Sequence, residues 1–173
     1  MRNVWIMNGI QLMMDIPVEI TPSVFAYSMI YPYSDNYLDN PDISITEKQS
    51  FNKRFYKKIK DGKDNPANDD EKLIFSMIDL IESDFDRVGY PDVYKSLLAI
   101  LDGQQKSLSQ HGDCNLNNSD LLEFTFYKGG TSVLADAFLV RGELTDDEAS
   151  FAYSYGVILQ LADDLQDIGD DIC

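Results

Sequence analysis

Four aspartates near the end of the chain stand at helical spacing. Asp163, Asp167 and Asp171 step by four residues, and Asp164 lies three before Asp167. On a helix each step of four turns about 40° and rises about 6 Å, so these carboxylates form one stripe with Gln160 a turn earlier. Like charges at this spacing repel, and the helix dipole disfavours anions near a C-terminus. Four aspartates held there against both penalties point to a cation that offsets them. Aspartate oxygens suit hard Mg2+, which keeps waters and takes further ligands from phosphates. The other side of the same stretch is apolar, with Leu159, Leu161, Ala162, Leu165 and Ile168.

A second pair, Asp35 and Asp39, repeats the i, i+4 spacing far upstream, also at the C-terminal end of an apolar and aromatic stretch. Other candidates carry less. His111 is the single histidine, and with Cys114 nearby it makes no zinc site. The Asp163–Asp171 stretch lacks the loop spacing and sixth-position glycine of an EF-hand. Lys53, Arg54, Lys57 and Lys58 read as a solvated helix face opposite Phe51 and Phe55.

The elements that must position these groups read as almost wholly helical, about seven helices in one bundle with no clean domain boundary. Thr21-Pro22 opens a helix to about Asp39, with a kink expected at Pro32 and a stop at Asn40-Pro41. Ser44 and Glu47 form a capping box for a helix to about Lys60, whose buried stripe is Phe51, Phe55 and Ile59. After a loop over residues 61–68, a helix from about Asp69 to Phe85 is expected to bury Leu73, Ile74, Met77, Ile78 and Ile81. Pro91 opens another to about Leu108. A polar turn precedes Ser119, a candidate N-cap for a helix over residues 120–140. Gly129-Gly130 in its middle costs about 2 kcal/mol of helix propensity. Either that helix breaks or a backbone or ligand approaches closely there. Thr145 and Glu148 make a second capping box, for a last helix towards Asp171.

Length and charge bound the function. At 173 residues the chain suits one all-helical domain spanning residues 1–173, able to bury roughly 70% of its unfolded surface. A formal charge of −16 argues against binding nucleic acid or an anionic membrane. Two cysteines fit a reducing compartment, hence a cytoplasmic location, and no apolar run approaches the ~18 residues of a membrane span. The residues up to Asp15 make a poor signal peptide. The charge is uneven. Residues 111–173 hold thirteen acids and only Lys128 and Arg141, while seven of the fourteen bases lie between Lys48 and Lys63.

Gly156, Gln160-Leu161, Asp163-Asp164, Asp167 and Gly169-Asp170 resemble the second aspartate-rich motif of the trans-isoprenyl diphosphate synthases. Asp35 and Asp39 resemble the first motif, and Lys128, with Thr131 and Ser132 near it, resembles the lysine that contacts diphosphate. The resemblance covers about Ser34 to Cys173 and implies a helical bundle of the class I isoprenoid (terpenoid) synthase type. The chain departs from the pattern in three ways. Asn36 stands where the first motif has its second aspartate, as in the single-Asp versions of the squalene and phytoene synthases. The paired arginines after that motif are absent, and Lys53-Arg54 comes fourteen residues after Asp39. The family's longer chains also imply a bundle incomplete at both ends, a fragment of a longer domain.

What the resemblance implies is a Mg2+-dependent prenyltransferase that ionises an allylic diphosphate for prenyl transfer or condensation, with isopentenyl diphosphate as co-substrate. Asp35, Asp39, Asp163, Asp167 and Asp171 would hold metal, with Asp164 in the same catalytic set. Lys128 and Arg54 would donate to phosphate oxygens, Gln160 would assist, and Tyr31, with Tyr27 and Phe124 or Tyr127, would line an apolar pocket. The expected assembly is a homodimer or completion by another chain. The alternative is a catalytically incomplete homologue that serves as a non-catalytic partner subunit.

Overall fold

Thr21 accepts a hydrogen bond from the Val24 N–H, and Pro22 takes the first helical position, where its missing N–H leaves nothing unsatisfied. Ser44 and Glu47 cap each other reciprocally, as do Thr145 and Glu148. These starts set the frame of a computed structural model that describes the backbone of residues 2–63, 65–110 and 118–171. The side chains of residues 2, 31, 35, 104–110, 118–121, 124 and 167–171 lie outside the description.

The described residues form seven helices and no strand, as an all-α protein should. They are α1 (Arg2–Met13), α2 (Pro22–Asp39), α3 (Ile45–Asp61), α4 (Asp69–Asp84), α5 (Pro91–Gln110), α6 (Asn118–Arg141) and α7 (Asp146–Asp171). None is long and apolar enough to cross a membrane. Helix α2 continues through Pro32, which faces solvent.

Helix α6 sits at the centre and separates two cores. On one side Ala135 and Leu139 join a large core of α2, α3, α4 and α5, built on Tyr27, Phe51, Ile74, Ile78 and Ile81. On the other side Val133 and Ala137 meet Ile10 of α1 and Ala152 of α7. Helix α7 packs chiefly on α6, and α2 chiefly on α4.

Two expectations change, and one helix forms where the sequence gives no signal. No cap or clear apolar–polar periodicity announces α1, yet it forms and buries Met7, Ile10 and Gln11. Gln11 is held by donating to the Glu19 carbonyl and accepting from the Glu19 N–H, which folds the following segment back on the helix. In α4, Leu73 is exposed and Glu71 is buried instead, because the inward face follows residues 71, 74, 75, 78 and 81 at helical spacing. In α3 the basic face is not wholly solvated. Lys58 is buried and paired with Asp79, and Arg54 is paired with Glu71.

Candidate functional site

Gly129 and Gly156 decide how α6 meets α7. A Cβ on Gly129 would stand 2.5 Å from the Gln160 Cβ and 2.6 Å from the Gly156 carbonyl oxygen. A Cβ on Gly156 would run into the Gly129 carbonyl, and one on Gly130 into the Tyr153 ring. The glycine pair therefore leaves α6 unbroken and serves close backbone approach, one of the two outcomes its sequence allows.

This crossing sets the polar groups of both helices side by side. Lys128, Thr131 and Ser132 of α6 share one cavity of about 180 Å³ with Gln160 of α7, Ile100 and Gly103 of α5, and Asn3 of α1. The Gln160 amide donates to Asp164 Oδ1 at 2.7 Å, and Thr125 Oγ1 donates to Asp164 Oδ2 at 3.2 Å. Thr125 lies one turn before Lys128, so its spacing marks it as part of the same face. Asn3 could not be found that way, because α1 itself carries no sequence signal. Thr131 turns its hydroxyl back to the Tyr127 carbonyl at 2.7 Å. Tyr127 reaches across to α5, where its hydroxyl donates to the Ala99 carbonyl at 3.5 Å.

Ile100 also borders a second cavity, of about 20 Å³, walled by Tyr27, Ile30, Phe55, Ile78 and Leu101. That volume is room for a single water.

Asp39 lies elsewhere. It is exposed and borders an open cleft of about 1130 Å³ beside α3, with Lys48, Lys53, Lys57 and Lys60 around it. That cleft shares no lining residue with the Lys128 cavity. Tyr31, Asp35, Phe124, Asp167 and Asp171 fall on helices, but their side chains lie outside the described residues, as do His111, Cys114 and Cys173. Among the described residues no three acidic, histidine or cysteine side chains gather to hold a metal ion. Asp163 and Asp164 are hard oxygen donors of the type Mg2+ takes.

Arg54 is drawn into the core. Its Nε donates to Glu71 Oε2 at 2.8 Å and its Nη2 to Glu71 Oε1. Burial pushes the Glu71 carboxyl up, but hydrogen bonds from Arg54 and the Ala67 N–H, the Arg54 charge and the Tyr37 hydroxyl outweigh it. The carboxyl is left below its ordinary value.

A further acid went unremarked in the sequence. Asp136 of α6 is fully buried with neither oxygen hydrogen-bonded, and burial holds its pKa well above the usual carboxylate range. It continues the α6 stripe of Thr125, Gly129 and Ser132 one turn on.

The chain matches no family model, no curated protein and no solved structure.

Proposed function

We propose that this protein is a Mg2+-dependent binder of isoprenoid diphosphates of the class I isoprenoid synthase type, which ionises an allylic diphosphate for prenyl transfer or condensation. The observation that carries the reading is the α6–α7 crossing, which joins Lys128 and Gln160 on one cavity, with Asp164 hydrogen-bonded to Gln160 and Asp163 next to it in the chain. Lys128 would donate to the phosphate oxygens of the leaving group. Gln160 and Thr125 would fix the Asp164 carboxylate, and Asp163 and Asp164 would hold Mg2+. The metal, when bound, would neutralise charge developing on the diphosphate. Ile100, which lines this cavity and the small one in the core, would turn the apolar end of the substrate towards the core.

A second reading, a catalytically incomplete partner subunit, is favoured by the core beyond Ile100. A cavity of about 20 Å³ has no room for a prenyl chain, and ligand pockets usually span about 300–1,000 Å³. Asn36 at the first motif and the Arg54–Glu71 pair lean the same way.

The two readings separate on one assay. The chain is incubated with Mg2+, an allylic diphosphate and isopentenyl diphosphate, and pyrophosphate release is followed. Release that Asp163→Ala and Asp164→Ala abolish supports the enzyme. No release, with Mg2+-dependent stabilisation by pyrophosphate retained, supports the partner subunit. Neither signal removes both.

A further inference from the structure

Half of the chain's bases lie between Lys48 and Lys63, on α3 and just after it. The bundle uses two of them, pairing Arg54 with Glu71 and Lys58 with Asp79. Four others, Lys48, Lys53, Lys57 and Lys60, line the open cleft between α3 and the end of α2. None of the four forms an ion pair or a side-chain hydrogen bond with any described residue. The acids bordering the cleft are Asp39 and Asp61, so its lining is net positive where the whole chain carries −16. Glu47, at the head of α3, is committed to its cap with Ser44.

The same cleft carries a seam. Ile45, Gln49, Asn52 and Tyr56 line it at steps of four, three and four residues, the spacing at which one helix packs on another. Ile45 is 76% exposed and Tyr56 42%, and Leu38 of α2 adjoins them. On helical phase Lys48 falls on one side of this seam and Lys53, Lys57 and Lys60 on the other.

The lining selects the occupant. From Lys48 to Lys60 the helix rises about 18 Å, too far for one phosphate or carboxylate to meet all four lysines. The ligand therefore carries several anionic groups along its length. Single-stranded nucleic acid stacks its bases on exposed rings. Tyr56 is the single ring among the described lining residues, and the Lys60 ammonium stands over it, 5.8 Å from its centroid. A duplex would reach beyond the cleft across an acidic surface, and a second copy brings another −16. We propose that this cleft docks an acidic amphipathic helix of a partner chain. Its apolar stripe would pack on Leu38, Ile45 and Tyr56, and its flanking Asp or Glu residues would meet the lysines on both sides. Carboxylates three or four residues apart on such a helix repeat at the spacing of Lys53, Lys57 and Lys60. The proposal does not rest on the diphosphate reading, because the cleft shares no lining residue with the Lys128 cavity.

The test uses the full chain and two fluorescein-labelled three-heptad peptides at nanomolar concentration. Both carry Glu at the flanking positions, with Leu at the seam of one and Ser at the seam of the other. The chain as a whole repels both, so binding must come from a local positive surface. Fluorescence anisotropy at physiological salt should show saturable binding of the Leu peptide and at least ~10-fold weaker binding of the Ser peptide. Lys57→Glu and Tyr56→Ser should each weaken the Leu peptide at least ~10-fold. Lys95→Glu, on α5, gives the same net charge as Lys57→Glu and should bind as the wild type does. Circular dichroism melts should be unchanged in all three variants. No saturable binding, undiminished binding by Lys57→Glu or Tyr56→Ser, or equal weakening by Lys95→Glu overturns the proposal. So does labelled oligo(dT) that binds as tightly as the Leu peptide and is lost in Lys57→Glu, which assigns the cleft to nucleic acid. Sedimentation showing a dimer that Lys57→Glu dissociates would make a second copy the occupant instead.

Discussion

A side-chain carbon on Gly129 would lie 2.6 Å from the carbonyl oxygen of Gly156. Both partners at this crossing are backbone, and neither can step aside as a flexible side chain would. Gly156→Ala and Gly129→Ala are therefore each expected to push α7 off α6, at a cost of about 1–3 kcal/mol. Urea denaturation measures the loss. Gly9→Ala is the control, because open space surrounds that glycine, and it should hold or raise stability through its better helix propensity.

Separating the helices should also pull Gln160 from Lys128. If those residues share a diphosphate site, wild-type protein should melt higher with pyrophosphate and Mg2+. The gain is about 2.7 kcal/mol at a hundredfold excess over Kd. Lys128→Ala should reduce the shift, and chelating Mg2+ should remove it. Differential scanning fluorimetry reads both. A shift that survives Lys128→Ala, Gln160→Ala and chelation alike would place the ligand elsewhere.

Arg54→Ala leaves the Glu71 carboxylate buried without its cation, so a loss of about 3–5 kcal/mol is expected. The double variant with Glu71→Gln should recover part of it. Glu71 titrates below its ordinary value in the folded protein. Its contribution is thus present above the unfolded value and is lost as pH falls through the folded one. Acid denaturation profiles should show that slope in the wild type and lack it in Glu71→Gln.

Asp136 works in the opposite sense. Burial raises its folded pKa, so the folded state keeps a proton that the unfolded chain has released. Stability should fall as pH rises from the ordinary aspartate range towards the folded value. Asp136→Asn cannot ionise and should flatten that side of the profile, with a gain of about 1–3 kcal/mol near neutral pH. Denaturation midpoints across pH 4 to 8 compare the two. An unchanged profile would mean that Asp136 ionises at no cost.

The helix starts were legible in the chain because capping is local. Thr21-Pro22, the Ser44–Glu47 box and the Thr145–Glu148 box act within one turn, and each forms where the residues stand. The face shared by Gln160 and Asp164 was legible for the same reason, since helical spacing alone aligns them. Gly129-Gly130 offered two outcomes, and the approach of Gly156 from a different helix selected one. The pairing of Arg54 with Glu71, the burial of Asp136 and the exposure of Leu73 depend on which side of a helix meets its neighbours. No residue's own neighbours in sequence encode that. Helix α1 is the limiting case, with no cap signal and no clear polar face in its sequence, formed against α6 and α2 by burial of Met7 and Ile10. Local hydrogen bonding and periodicity thus set where helices begin and which residues share a face. Burial and charge pairing across the bundle set which faces meet, because those energies exist only once distant segments touch.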